Sequence, residues 1–102
     1  MVRDSAPIAR PIKDYLKPNF VRTLASPSNF RLGKEIADGG RVEIVESGDT
    51  FLLARVIPEE GEARKVELRS TAHGLTLKCT CSKKEVFCKH CVAAALVGWE
   101  KV

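Results

Sequence analysis

Four metal-affine side chains fall within one short stretch of this chain, and their spacing restricts what can form around them. Cys79-Thr-Cys81-Ser-Lys-Lys-Glu-Val-Phe-Cys88-Lys-His90 reads Cys-x-Cys, six residues, Cys-x-His. Three thiols and one imidazole make the donor set of a closed structural zinc site. Zinc holds such donors in a tetrahedron, with Zn–S near ~2.3 Å, so two sulfurs on one ion sit roughly 3.8 Å apart. Residues i and i+2 of an extended strand point to the same face, so Cys79 and Cys81 can aim at one point. On a helix the same spacing puts two side chains about 200° apart. Cys88 is therefore expected just before a helix and His90 in its first turn, with residues 91–99 as the helix body. The competing reading, scattered thiols and a surface histidine, explains none of this agreement between spacing, donor type and context.

With 102 residues the chain is one domain's length. A core of that size is modest, and a structural zinc adds about 10–16 kcal/mol of apparent binding free energy to folding. No run approaches the ~18 apolar residues of a membrane span. The N-terminal residues lack the apolar stretch of a signal peptide. Four cysteines in a secreted chain would read as two disulfides. The spacing argues instead for metal and a reducing compartment, which points to the cytoplasm, with nucleoid or nucleus as alternatives. Formal net charge is +4. Three thiolates carrying one zinc ion lower this by about one unit. The balance is mildly basic and permits contact with nucleic acid without requiring it.

Residues 1–27 hold four of the five prolines, together with Arg3, Arg10, Lys13, Lys17 and Arg22. They read as a Pro-containing arm, with residues 28–102 as the zinc-binding domain. Tyr15, Leu16, Phe20, Val21 and Leu24 allow one or two short helical turns between Pro11 and Pro27, broken near Pro18. Residues 28–40 read as a short helix capped by Ser28 and ended by Gly39, with Phe30, Leu32 and Ile36 as its apolar stripe. Strand patterns follow at 41–46, 50–57, 63–70 and from Leu75 to Cys79. Turns are expected at 47–49, 58–61 and His73-Gly74. Residues 50–57 are apolar on both faces and belong in the interior of the sheet. His73 reads as a turn residue. In the last strand Leu75, Leu77, Cys79 and Cys81 share one face. The zinc then lies at the rim of the core, between sheet and C-terminal helix. That helix is apolar nearly all round, so residues 11–36 or a partner must cover its second side. The expected class is α+β: a small antiparallel sheet of three to four strands, a zinc-pinned C-terminal helix and a short N-terminal helix.

The motif, followed by an Ala-rich apolar helix, resembles the SWIM zinc finger. The region upstream, with Gly33 and Gly39-Gly40 leading into a hairpin, looks like that preceding the finger in bacterial and archaeal SWIM proteins, including the N-termini of SWI/SNF-type ATPases. The motif likeness covers residues 79–90, and a looser one about 28–100. It implies one zinc on Cys79, Cys81, Cys88 and His90, with Cys91 outside the pattern. It also implies a module for protein or nucleic-acid contact, as in remodelling ATPases, transposase-related proteins, recombination regulators and some ubiquitin ligases. No Gly-x4-Gly-Lys-[Ser/Thr] loop is present, so the ATPase activity of larger members does not carry over.

Two function classes remain to be weighed. One is a non-catalytic zinc module serving a DNA-processing complex, with Lys78, Lys83, Lys84 and Lys89 as candidate phosphate contacts. The same lysines also read as charge that offsets the metal site. A variant of this class is an adaptor that binds only protein, through the apolar helix or the sheet edge. The other class is a zinc hydrolase. That chemistry needs an open coordination position and an acid–base partner, whereas four ligands fill the site, and Glu85 is the only carboxylate inside the motif. A Cys88/Cys91 redox pair is unavailable while Cys88 binds metal. No small-molecule substrate and no membrane partner is expected. Cys81→Ser is expected to lower metal content and unfold at least the C-terminal third. Elemental analysis showing unchanged zinc would remove Cys81 from the ligand set.

Overall fold

Two prolines set the starts of the first two α-helices. The computed structural model describes residues 10–57, 62–80 and 87–101. A 3-10 turn at Ile12–Tyr15 leads into α1 (Pro18–Leu24), and α2 spans Pro27–Asp38. Pro18 and Pro27 each open a helix, where the missing N–H leaves no bond unmade and the fixed φ suits the first turn. Ser26, not Ser28, caps α2: its Oγ accepts from the Asn29 N–H at 3.1 Å. With Pro27 at the first helical position, Ser28 already lies inside the first turn. Gly40, at φ 73°, takes the left-handed conformation that ends the turn after α2.

Four antiparallel strands follow in sequence order: β1 (Val42–Ser47), β2 (Phe51–Val56), β3 (Arg64–Thr71) and β4 (Gly74–Cys79). The fold is α+β, as the sequence pattern implies. β2 is an interior strand, in keeping with its apolar residues on both faces. The expected turn at 58–61 lies outside the described residues. The β3–β4 turn passes through Gly74 at φ 122°, where Thr71 Oγ1 donates to the Gly74 carbonyl at 3.0 Å and accepts from the His73 N–H at 3.1 Å. Register then decides what faces the core. Leu52 stands opposite Leu68, which stands opposite Leu77, and the adjacent row is Ala54, Val66, Cys79. Cys79 therefore extends an apolar row of the inner face. Register slips between Ile44 and Glu46 on β1, and the intervening Val45 is 61% exposed.

The last helix, α3 (Lys89–Lys101), lies against the inner face of the sheet. Its opposite side is covered by α2, α1 and the 3-10 turn. Ile12, Leu16, Val21 and Ala25 are buried in the same core as Leu52, Val66, Leu68 and Val92. The all-round apolar character of α3 is thus satisfied within the chain. Among the described residues no helix is long and apolar enough to cross a membrane.

Two glycines permit this burial. A Cβ on Gly33 of α2 would stand 2.5 Å from the Val92 Cβ and 2.8 Å from the Lys89 carbonyl oxygen. One on Gly98 would meet Leu52 Cδ2 at 2.7 Å. Alanine in place of helical glycine usually gains up to ~1 kcal/mol in propensity. At Gly33 the contact with a backbone oxygen cannot be relieved by a rotamer change, so overpacking wins. Gly33→Ala is expected to destabilise the chain by a net ~1–2 kcal/mol. Adding Val92→Ala should recover only part of it, since alanine keeps the Cβ at position 92 and the Lys89 carbonyl also remains. Denaturant unfolding of the single and double variants checks this, and a stabilised Gly33→Ala chain would show that the helices do not cross here.

Candidate metal centre

The site is assembled from the end of β4 and the start of α3. Cys88 immediately precedes α3, and its carbonyl accepts from the Val92 N–H at 3.0 Å. Its sulfur accepts from the backbone N–H of Cys91, the position a helix-capping oxygen ordinarily serves. Cys88 is thus the residue before the helix and His90 lies in the first turn, as the Cys-x-His spacing requires. At the other side, Thr80 locks the end of β4 to β3. The Thr80 N–H donates to the Lys65 carbonyl at 3.1 Å, and the Lys65 N–H donates to Thr80 Oγ1 at 3.0 Å.

These two supports bring Cys79, Cys88 and His90 together, with their donor atoms all within 4.8 Å of one another. Cys79 Sγ lies 3.7 Å and Cys88 Sγ 3.9 Å from His90 Nδ1. A tetrahedral zinc ion with ordinary bond lengths sets a sulfur–nitrogen edge of roughly 3.6 Å. The donors therefore fit such an ion with shifts of a few tenths of an ångström. Cys88 and His90 are buried, and Cys79 is half-buried. Borderline-soft donors, a shielded position and two rigid supports suit a metal held for structure. Zinc fits this set, and Cys79, Cys88 and His90 would hold it.

The other residues singled out by sequence fall in different places. Cys81, Lys83, Lys84 and Glu85 lie outside the described residues. Lys78 is exposed on the outer face of β4, turned away from Cys79 and opposite Glu67 in register. Lys89 opens α3 and is half-buried. His73 is exposed in the β3–β4 turn, away from the cluster. The structure adds Cys91. Its sulfur lies 3.6 Å from that of Cys88, and its side chain is 2% exposed. The signal was present in the sequence as Cys88-x-x-Cys91, a spacing that at a helix start puts both side chains on one face.

The thiols also set each other's ionisation. Hydrogen bonds to the Cys88 sulfur, first from Cys79 and then from Cys91, push its pKa well below the ordinary thiol value against the opposing effect of burial. Cys91 is pushed the other way, by its hydrogen bonds with Cys79 and Cys88 and by burial. Of the two, Cys88 is the one whose surroundings favour the thiolate. A cleft of about 890 Å³ reaches this cluster, lined by Cys79, Cys88 and Cys91 and by Leu77, Lys78 and Thr80 on the strand beside it.

Comparison with protein-family models, with curated proteins and with solved structures gave no match for this chain.

Protons compete with metal for thiolate donors, so occupancy depends on pH. The lowered Cys88 pKa means that this sulfur stays charged to a lower pH than an ordinary thiol. Its contribution is full above the ordinary thiol value and disappears as pH falls through the lowered one. Bound zinc is expected to fall on acidification, and Cys79→Ser, Cys88→Ser and His90→Ala each to lower it at neutral pH. Chelator competition at stepped pH measures both. Retention that ignores pH would show that thiolates are not the ligands.

Proposed function

We propose that this chain is a non-catalytic zinc-binding module of the SWIM type that makes contacts with DNA within a DNA-processing complex. The observation that carries the reading is the convergence of Cys79, Cys88 and His90 at the junction of β4 and α3. Zinc at that point joins an edge strand to the helix on which the core is built. Cys81, which lies outside the described residues, is assigned as the fourth donor by its place in the motif. Four protein ligands leave no position for a reacting water, which is why the role assigned is structural.

The DNA-facing part of the reading rests on charge. Lys78 stands exposed on the outer sheet face with Lys65 on the same face of β3, beside Glu67 and an Arg55–Glu43 ion pair at 2.6 Å. Lys83 and Lys84 follow in the motif, and Lys89 opens α3. The rival reading, an adaptor that binds only protein, relied first on the apolar helix. Its second side is covered by α2, α1 and the 3-10 turn, which takes that surface away and leaves the sheet.

Each phosphate neutralised on duplex DNA contributes about −0.9 to the slope of log K against log salt. Lys78, Lys83, Lys84 and Lys89 are expected to supply roughly two to four such contacts, giving weak, sequence-independent binding. Lys83→Ala/Lys84→Ala should reduce the slope by about one to two units. Titration of the zinc-loaded chain against duplex DNA at several salt concentrations decides it. A slope near zero, or one unchanged in the double variant, would exclude the basic rim as a DNA site and favour the protein adaptor.

A further inference from the structure

Cys91 has no part in the four-ligand reading, yet it is buried within the ligand cluster. Its sulfur is 3.6 Å from Cys88 Sγ, while the donors that lie mutually within 4.8 Å are Cys79, Cys88 and His90. A free cysteine inside a core is ordinarily an inert small hydrophobe. This one faces a second thiol across a gap that a modest side-chain rotation closes to the ~2.05 Å of a disulfide. Residues i and i+3 at a helix start also keep their backbones within the span a disulfide tolerates. Both side chains line the cleft that reaches the cluster, so a molecule as small as a peroxide has a path to them. Cys79, on a different element, also reaches both sulfurs, and peptide mapping tells the two pairings apart.

We propose that Cys88 and Cys91 form a peroxide-sensitive dithiol site, in which disulfide formation withdraws Cys88 from the metal and releases zinc. The Cys88 sulfur attacks one peroxide oxygen. The O–O bond breaks, the departing hydroxide takes up a proton and leaves as water, and Cys88 becomes a sulfenic acid. The Cys91 sulfur then attacks the Cys88 sulfur. The S–O bond breaks, the S–S bond forms, and the second water leaves with the Cys91 proton. Two sulfurs lose two electrons in all, and one peroxide becomes two waters. A zinc ion deprived of Cys88 is left with one thiolate fewer and dissociates. Added dithiol reverses the step and restores the ligand.

The proposal rests on the zinc reading for its outcome but not for its geometry, and the test separates the two. Trypsin cuts after Lys78, Lys83, Lys84 and Lys89, which places Cys88 in residues 85–89, Cys91 in 90–101, and Cys79 with Cys81 in 79–83. Zinc-loaded protein is titrated with hydrogen peroxide beside a zinc-sensitive dye, free thiols are alkylated, and the digest is mapped by mass spectrometry. The expected product is 85–89 linked to 90–101, appearing in step with released zinc and lost on treatment with dithiothreitol. The same oxidation in guanidinium gives the pairing of an unstructured chain, and the native yield of the 88–91 link should exceed it several-fold. Cys91→Ser should keep its zinc, lose the link, and release zinc several-fold more slowly. A native map dominated by links to 79–83, or one indistinguishable from the guanidinium map, overturns the proposal while leaving the zinc reading intact. Loss of zinc in untreated Cys91→Ser also overturns it, because Cys91 would then be a ligand and not the spare thiol. Should the chain bind no zinc but form the 88–91 link above the denatured level, the dithiol stands and the zinc reading fails.

Discussion

The structure depends on the burial of one helix that is apolar nearly all round. α3 carries Val92, Ala93, Ala94, Ala95 and Val97 around its circumference, all buried. A sheet can cover only one side of such a helix. The other side requires a second layer, and the chain provides it with α2, α1 and the 3-10 turn. The small side chains of α3 allow its neighbours to come close, and Gly33 and Gly98 mark where they do. Small residues bury little apolar surface apiece, so this core gains less from each residue than one built on leucine and phenylalanine. A metal held between the first turn of α3 and β4 would therefore add to a core whose apolar contribution per residue is lean.

Much of this was legible in the sequence, for identifiable reasons. β3 and β4 declared themselves by alternation and β2 by its apolar run, and Cys79 could be assigned to the core face because Leu75 and Leu77 precede it with period two. The position of Cys88 ahead of the helix followed from the angle between i and i+2 on a helix. The start of α2 was misread because Ser26 and Ser28 flank Pro27 and both are good caps by type. The proline decides between them, since it prefers the first helical position. The need to cover α3 was clear from its composition. That α1 and the 3-10 turn share in the task was less so, because short segments between prolines have weak periodicity and their docking depends on tertiary contact.

The position of Cys91 depends on the neighbour from which it is measured. Measured from its neighbour His90, it lies about 100° round the helix. Measured from Cys88, three residues back, it lies on the same side, and that relation decides which sulfur it meets. The cluster holds two kinds of thiol on one helix start. The surroundings of Cys88 favour the thiolate and those of Cys91 the thiol. Metal ligation and dithiol chemistry thus draw on the same sulfur of Cys88, and only one of them can have it at a time.

The slip in register on β1 has a consequence for how these molecules behave at high concentration. A sheet of four strands in sequence order leaves two flanks on which another chain's strand could hydrogen-bond. On the β1 flank, the bulge at Val45 interrupts the regular spacing of backbone donors and acceptors, with Glu46 beside it and Glu43 paired to Arg55. A second copy brought edge to edge would meet a mismatched ladder. β1 therefore completes the sheet on its inner side while offering a poor template on its outer one, which guards against fibre-like stacking at no cost to the core.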